Sequence, residues 1–306
     1  MKALVTGGAG FIGSHLVELL LSRGCEVVVT DNLATGRRSQ VPEEAIFLQG
    51  DVSDADLLAK ALPGCDVVFH LAAVSSVQDS LDRPIDVHNT NLTATLGLLE
   101  AAVRHKVPRF VFSSSAAVYG DTGGEPARED MIPKPMSHYA VQKLASEHYC
   151  QVYHRLHGLE TVCLRYFNVC GPRQRADSPY SGVIAKFIDA ARAGQPITIF
   201  GDGEQTRDFC HVKDVASANY LAATQDRAKV AGRVFNVGTG VSTSVNDLAR
   251  LVAAAFGTTE IPIEHQPARA AEIRYSQAVV ETARKQLEWQ HSASLNSSLP
   301  SILGVE

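Results

Sequence analysis

Short apolar runs alternate with longer stretches of helical periodicity through the first two thirds of the chain. KALVT (2–6), EVVVT (26–30), IFLQGD (46–51), DVVFHLAA (66–73) and RFVFSSS (109–115) are too short and too evenly apolar for surface helices. They suit strands covered on both faces. Between them, SHLVELLLSRG (14–24) and residues 54–62 and 86–106 repeat apolar positions every three or four residues, the helical period. Strand and helix in this alternation predict an α/β fold, a doubly wound parallel sheet with right-handed crossovers. HVKDVASANYLAAT (211–224) and RVFNVGTG (233–240) read as a further helix and strand of the same sheet.

From Tyr166 the periodicity loosens, and Pro, Gly and Arg accumulate in FNVCGPRQRADSPYSGVIAKF (167–187). That composition suits a loop-rich binding lobe. The expected organisation is a Rossmann domain of residues 1–165 plus 211–240, with a smaller α+β substrate-binding lobe of 166–210 plus 241–306. Serine-rich residues 292–301 are polar enough to fray. Apolar stripes near 86–105 and 139–157 exceed what one core needs or form an ordinary buried face; the pattern does not distinguish these.

Composition narrows the function class. With 306 residues the chain can bury a sizeable core, and a net charge of -5 gives no general attraction for nucleic acid or anionic membrane. Six cysteines (25, 65, 150, 163, 170, 210) show no CxxC or metal-ligand spacing, which suggests reduced, packed thiols and no metal. Lys2–Thr6 already reads as a strand, leaving no room for a signal peptide, and no apolar run approaches the ~20 residues of a membrane span. The expected location is cytoplasmic.

Two motifs carry chemistry. The first strand breaks into GGAGFIG (7–13), where Gly7, Gly10 and Gly13 precede an apolar helix. Strand, glycine turn and helix in that order suit a pyrophosphate, which meets close backbone and the positive helix N-terminus. Asp31 ends the next strand, where a carboxylate accepts bonds from a ribose 2′-OH and repels a 2′-phosphate. NAD is therefore favoured over NADP, though Arg37 and Arg38 lie close by. Asp51, at the end of the third strand, is placed for the adenine edge. His70, inside its strand, reads as a satisfied core histidine.

The second motif pairs Tyr139 with Lys143, one helical turn apart, downstream of Ser113, Ser114 and Ser115. A phenol titrates near ~10, and an adjacent ammonium stabilises the phenolate as a base. A hydroxyl from the strand end could hold the substrate oxygen.

With these features assembled, the chain resembles the extended short-chain dehydrogenase/reductase family, and within it the UDP-glucose and UDP-N-acetylglucosamine 4-epimerases. The matching segments are TGGAGFIGSHL (6–16), DNLATG (31–36), GDVSD (50–54), HLAA (70–73), SSSAAVYG (113–120), YAVQK (139–143), LRYFNVCGP (164–172) and GDGEQTRDFCHVKDV (201–215). The resemblance implies that Tyr139 is general base and acid on sugar O4, that Lys143 lowers its pKa and holds the nicotinamide ribose, and that Ser115 bonds the O4 region. It implies NAD contacts from Gly7, Gly10, Phe11, Ile12, Gly13, Asp31, Asn32, Gly36, Asp51, Val52, Leu71, Ala72, Ala73, Asn91 and Tyr166, besides Tyr139 and Lys143. It implies UDP-sugar contacts from Ser75, Ser76, Asn168, Val183, Arg207, Arg269, Glu272 and Ser276, besides Ser115 and Tyr139. ARAAEI (268–273) departs from the family's Arg-x-Gly-Asp pattern at Ala271 and Glu272, so the ribose contact there is in doubt. Dehydratases and decarboxylases of this fold carry an acid just after the Ser/Thr position. Here Ala116 and Ala117 follow, which favours epimerisation over those lyases and over a silent NAD-binding module. Ser276 stands where epimerases restricted to glucose and galactose carry a bulky Tyr, so the pocket admits an acetamido sugar without excluding the smaller one. The resemblance also implies a homodimer.

Overall fold

The computed structural model describes residues 1–174, 182–256, 261–268 and 273–303. The first six strands are β1 (Lys2–Thr6), β2 (Glu26–Asp31), β3 (Ile46–Gln49), β4 (Val67–His70), β5 (Arg109–Ser115) and β6 (Glu160–Tyr166). Then come β7 (Asn168–Cys170), β8 (Ile197–Phe200), β9 (Thr206–His211), β10 (Arg233–Val237), β11 (Ser242–Ser244) and β12 (Ile263–Gln266). Seven of them form one parallel sheet in the order β10-β6-β5-β4-β1-β2-β3. The chain winds outward from β1 to β3, then returns and winds the other way from β4. The crevice outside the ends of β1 and β4 is therefore the topological switch point, where ligands of such sheets bind.

Alternating side chains of the apolar strands feed two separate cores. Ala3, Val5, Val29, Phe69 and Leu164 pack on one face against the helices Phe11–Ser22 and Val212–Thr224. Leu4, Val28, Val68, Phe110 and Phe112 pack on the other against Ala55–Ala61, Ala94–Arg104 and His138–His157. A buried arginine joins edge to face. Arg109 Nε meets Glu160 Oε2 at 3.0 Å, and its Nη1 donates to the carbonyls of Ala223 (2.8 Å) and Gln225 (2.7 Å). It thus satisfies carbonyls left open where the helix Val212–Thr224 ends.

The lobe is more regular than its composition suggests. β9 pairs with β7 and β11, and β8 pairs with β12. The helices Val183–Arg192 and Val245–Ala255 share a core containing Ile184, Phe187, Ile197, Phe209 and Leu248. The serine-rich tail departs from the expectation of fraying: Leu295–Leu303 is helical and buries Leu299 and Leu303 in that core. Just before it, Asp214 accepts from Ser292 N (2.9 Å) and Oγ (2.6 Å), while Trp289 Nε1 donates to the Asp214 carbonyl at 3.0 Å. These tertiary anchors override the polarity of the segment. The expected continuous helix over 86–106 is also interrupted, by a π-helical turn at Asn89–Thr93. Among the described residues no helix is long and apolar enough to cross a membrane.

Candidate active site at the strand ends

The glycine turn presses on the loop after β4. Gly7 has φ +69°, and a Cβ there would lie 2.7 Å from Ala72 N. A Cβ on Gly13 would collide with the Gly7 carbonyl oxygen. Both positions require glycine, and the turn closes against Leu71 and Ala72, with Ala73 next in the same loop, at the switch point. Gly10 is the N-cap of the helix that begins with Phe11 and Ile12, and no side chain caps it. Its first-turn N–H groups thus have no intrahelical partners and point outward as an anion site. The turn fits the pyrophosphate of a dinucleotide.

Asp31 serves this turn directly. Its Oδ2 accepts from Ala9 N at 3.0 Å and its Oδ1 from Leu33 N at 2.8 Å. Arg37 N donates to the Ala9 carbonyl at 2.9 Å, which brings Gly36 against the same residue. Arg38 turns elsewhere: its Nη1 donates to the Val41 carbonyl at 2.8 Å, and its guanidinium lies 4.8 Å from the Phe47 ring centroid. Asn32 Nδ2 donates to Asp51 Oδ2 at 2.9 Å, joining the ends of β2 and β3. Burial raises the Asp51 carboxyl, but bonds from Ser53 and Asn32 outweigh it and leave the group below its ordinary value. Val52 is buried beside it.

The next group is held by one helix face. Ser137 caps His138–His157 by accepting from Ala140 N at 3.2 Å. Tyr139 and Lys143 then project toward the end of β5. Lys143 Nζ donates to the Ser113 carbonyl at 2.8 Å and sits 4.9 Å from the Phe112 ring centroid and 5.9 Å from that of Tyr139. Ser115 Oγ accepts from Ala117 N at 3.2 Å, so its own proton is directed away from that turn. Its hydroxyl also faces the Tyr139 phenol. Burial pushes the Tyr139 phenol above its ordinary value, and the Ser115 hydroxyl only partly offsets this. Burial likewise lowers the Lys143 ammonium to about 8, against an opposing pull from Glu147. The phenol is therefore not lowered in the protein chain by itself, contrary to the simple pairing argument. Desolvation is the dominant influence on the phenol, and the nearest bond of the Lys143 ammonium is to a backbone carbonyl.

Asn91 and Tyr166 have structural partners. Asn91 clamps Val74 through Oδ1 to N (2.8 Å) and Nδ2 to O (3.0 Å), and it also reaches Gln142 Oε1 at 3.0 Å. It ties the loop after β4 to the Tyr139 helix. The Tyr166 hydroxyl joins Ser113 Oγ at 3.0 Å and Asn219 at 2.8 Å, and burial pushes it up to about 12. Ser75 is exposed, while Ser76 caps Val77–Asp82 by accepting from Asp79 N at 2.9 Å. In that helix Ser80 Oγ accepts from Tyr139 N at 3.1 Å, which supplies a partner for a first-turn N–H.

On the lobe, Asn168 opens β7, and Val183 is the first residue of its helix, half-buried on the lobe core. Arg207 lies on β9 opposite Thr243, with Nη1 donating to the Thr206 carbonyl at 2.8 Å. Ser276 is moored on both sides to the same strand. Thr206 N donates to the Arg274 carbonyl at 2.9 Å, and Ala278 N to Asp208 Oδ2 at 3.0 Å. Arg269 and Glu272 lie outside the described residues.

The model of the NAD dependent epimerase/dehydratase family matches residues 3–238. The chain belongs to that family. It is 40% identical to the UDP-glucose 4-epimerase of Mycolicibacterium smegmatis over 96% of this chain and 95% of that protein. Among solved structures it is similar to a UDP-glucose 4-epimerase of Thermotoga maritima, with UDP-glucose, at TM-score 0.94 and 37% identity, covering 100% of this chain and 98% of the other. It is equally similar, at TM-score 0.94 and 36% identity, to a UDP-N-acetylglucosamine 4-epimerase of Methanobrevibacter ruminantium in complex with UDP-N-acetylmuramic acid. Coverage there is 99% of this chain and 97% of the other.

Against this epimerase/dehydratase frame, the partners that sequence reasoning missed are mostly buried polar groups. Glu147, Arg165, Ser80 and Gln142 all support the Tyr139 helix. Glu147 repeats the four-residue spacing once more after Lys143, and that was its only signal. His70 is a satisfied core histidine, bonded through Nδ1 to Thr6 Oγ1 and through Nε2 to Thr95 Oγ1, both at 2.8 Å.

Burial lowers His70 to about 3. The unfolded chain takes up its proton as pH falls through ~6.5, whereas the native chain cannot until far lower, so stability is lost over that interval. Acidification from about pH 7 to about pH 5 should lower unfolding free energy by about 2 kcal/mol through His70 alone. Burial lowers His15 and His211 too, which adds in the same direction. Urea denaturation at the two pH values checks this, and His70→Gln should flatten the slope; an unchanged slope in the variant would contradict it.

Proposed function

We propose that this protein is a UDP-hexose 4-epimerase, an isomerase that inverts C4 of UDP-GlcNAc/UDP-GalNAc, of UDP-Glc/UDP-Gal, or of both, through a transient 4-keto sugar. The observation that carries this reading is the convergence of Ser115, Tyr139 and Lys143 beside a turn with no acid in it. Ala116 and Ala117 begin that turn, where a dehydratase or decarboxylase would need a carboxyl group. The names of the similar proteins support the same reading.

In this reading the glycine turn and Asp31 would hold NAD, which would supply reversible hydride chemistry at the sugar C4. The residues do the proton work. Tyr139 Oη takes the proton from the O4 hydroxyl as the C4–H bond breaks, and it gives the proton back when that bond re-forms. Ser115 Oγ already accepts from Ala117 N, so it can donate to O4 and fix the oxygen near the phenol. The Lys143 ammonium stabilises the phenolate that accepts this proton. Arg207, with Arg269, suits the diphosphate as a forked donor. Residues 1–165 with 211–240 would hold the nucleotide, and 166–210 with 241–306 the sugar.

The reading includes a homodimer, which exposed apolar side chains support. Ile85 (72% exposed), Val141 (50%) and Leu156 (73%) leave apolar side chains uncovered on neighbouring helices, and a second copy would cover them. The enzyme would work in the cytoplasm, in nucleotide-sugar interconversion.

Incubation with UDP-GlcNAc and UDP-Glc in separate NMR tubes should yield C4 epimers; a 4-keto-6-deoxy sugar or a decarboxylated product would overturn the assignment. Tyr139→Phe should lower kcat by about 10²- to 10⁴-fold with the cofactor still bound, and a near-normal rate would remove Tyr139 from its role. Ser276→Tyr should reduce turnover of acetamido sugars by about tenfold or more while sparing UDP-Glc. Equal loss on both substrates would show that Ser276 does not gate the pocket.

A further inference from the structure

We propose that Glu147 is a positioning residue for proton transfer, a buried counter-charge that keeps Lys143 in its ammonium form behind Tyr139. The proposal deepens the epimerase reading and rests on it.

Tyr139, Lys143 and Glu147 follow one another at four-residue intervals and so form one stripe of a single helix. Each meets a different residue of the strand end opposite. The Tyr139 phenol faces the Ser115 side chain, the Ser113 carbonyl accepts from Lys143 Nζ at 2.8 Å, and Ser114 Oγ donates to Glu147 Oε1. Ser113 and Ser114 alternate between backbone and side-chain contact because successive side chains of a strand point to opposite faces. The helix stripe and the serine run therefore dock as three matched rungs.

Glu147 is 2% exposed, and its carboxylate is fixed by a forked pair with Arg165: Nε to Oε1 at 2.9 Å and Nη2 to Oε2 at 2.7 Å. Arg165, itself buried on β6, lies 4.6 Å from the Tyr119 ring centroid. One buried carboxylate thus pairs with Arg165 and lies one helical turn from the buried Lys143. Three further titratable groups near Lys143 are held uncharged near neutral pH. His70 on β4 is neutral, and the Tyr166 phenol and Cys163 thiol on β6 are held above their ordinary values. Among these neighbours Glu147 is the anion. Burial draws the ammonium down, and Glu147 is the largest influence opposing it. A lysine that lost its proton near neutral pH would leave the phenolate without its fixed cation.

A purely structural role predicts something different. If Glu147 only closed a buried helix–strand contact, its loss would lower activity equally at all pH values. Removing one partner of a buried ion pair is also strongly destabilising, whereas removing both charges is tolerated. Two variants are therefore needed: Glu147→Gln, and Glu147→Gln combined with Arg165→Gln.

The NAD-loaded enzyme is assayed with UDP-Glc and UDP-GlcNAc by product NMR from about pH 6 to about pH 10. In the folded variants the alkaline fall of kcat should begin about one pH unit earlier than in the wild type, which is about tenfold lower kcat on that limb, with KM within about twofold. The effect in the paired variant should have the same direction. An alkaline limb at its wild-type position in either folded variant overturns the proposal. So does failure of the charge-free pair to fold, which would show that the ion pair serves the fold instead of the ammonium. Failure of the parent reading looks different: the wild type would form no C4 epimer, or Lys143→Met would keep the full rate.

Discussion

One helix pressed against one strand end organises the site. The face carrying Tyr139 and Lys143 is apolar enough to pack on Phe112, yet it brings an ammonium and a phenol into a region with almost no water. Burying such groups is costly unless each finds a partner. The serine run at the end of β5 supplies those partners through a carbonyl and side-chain oxygens. Because the partners belong to a central strand of a parallel sheet, they cannot move independently of the core. The orientation of the chemical groups is inherited from the packing of the sheet.

The same strand ends link Tyr139, Lys143 and Ser115 to the glycine turn. β4 lies between β1 and β5, so the loop that follows it touches the Gly7 turn on one side, and Asn91 ties it to the Tyr139 helix on the other. A shift in any of the three loops would be felt by the other two. In this arrangement Tyr139 and Lys143 and the glycine turn are tied through one loop, and the epimerase reading requires that linkage. The lobe approaches from β7 and β9 and brings Arg207 and Ser276 on segments moored to one another through Asp208 and Thr206.

Much of this could be read from residue order, for physical reasons. Buried parallel strands leave continuous apolar runs, and a glycine turn before a helix has few other uses, so the sheet, Gly7–Gly13 and Asp31 stood out. The Tyr139–Lys143 spacing and the serine run were equally visible. What escaped were relations that depend on burial. Glu147 looks like any solvated helix carboxylate until Arg165 and Ser114 close around it. The phenol rises where pairing with Lys143 suggested a fall, because desolvation is a property of the packed site. The tail helix at Leu295–Leu303 is held by Asp214 and the lobe core, contacts that no local propensity encodes.

The central claim is that the sugar is oxidised and reduced at C4 without the hydrogen leaving the site. Epimerisation of UDP-glucose bearing deuterium at C4, run in ordinary water with the NAD-loaded enzyme, tests it most directly. Deuterium NMR and mass spectrometry of the product should find the label retained at C4 in the inverted sugar. Loss of the label to solvent would contradict the account and point to a chemistry that breaks a different bond.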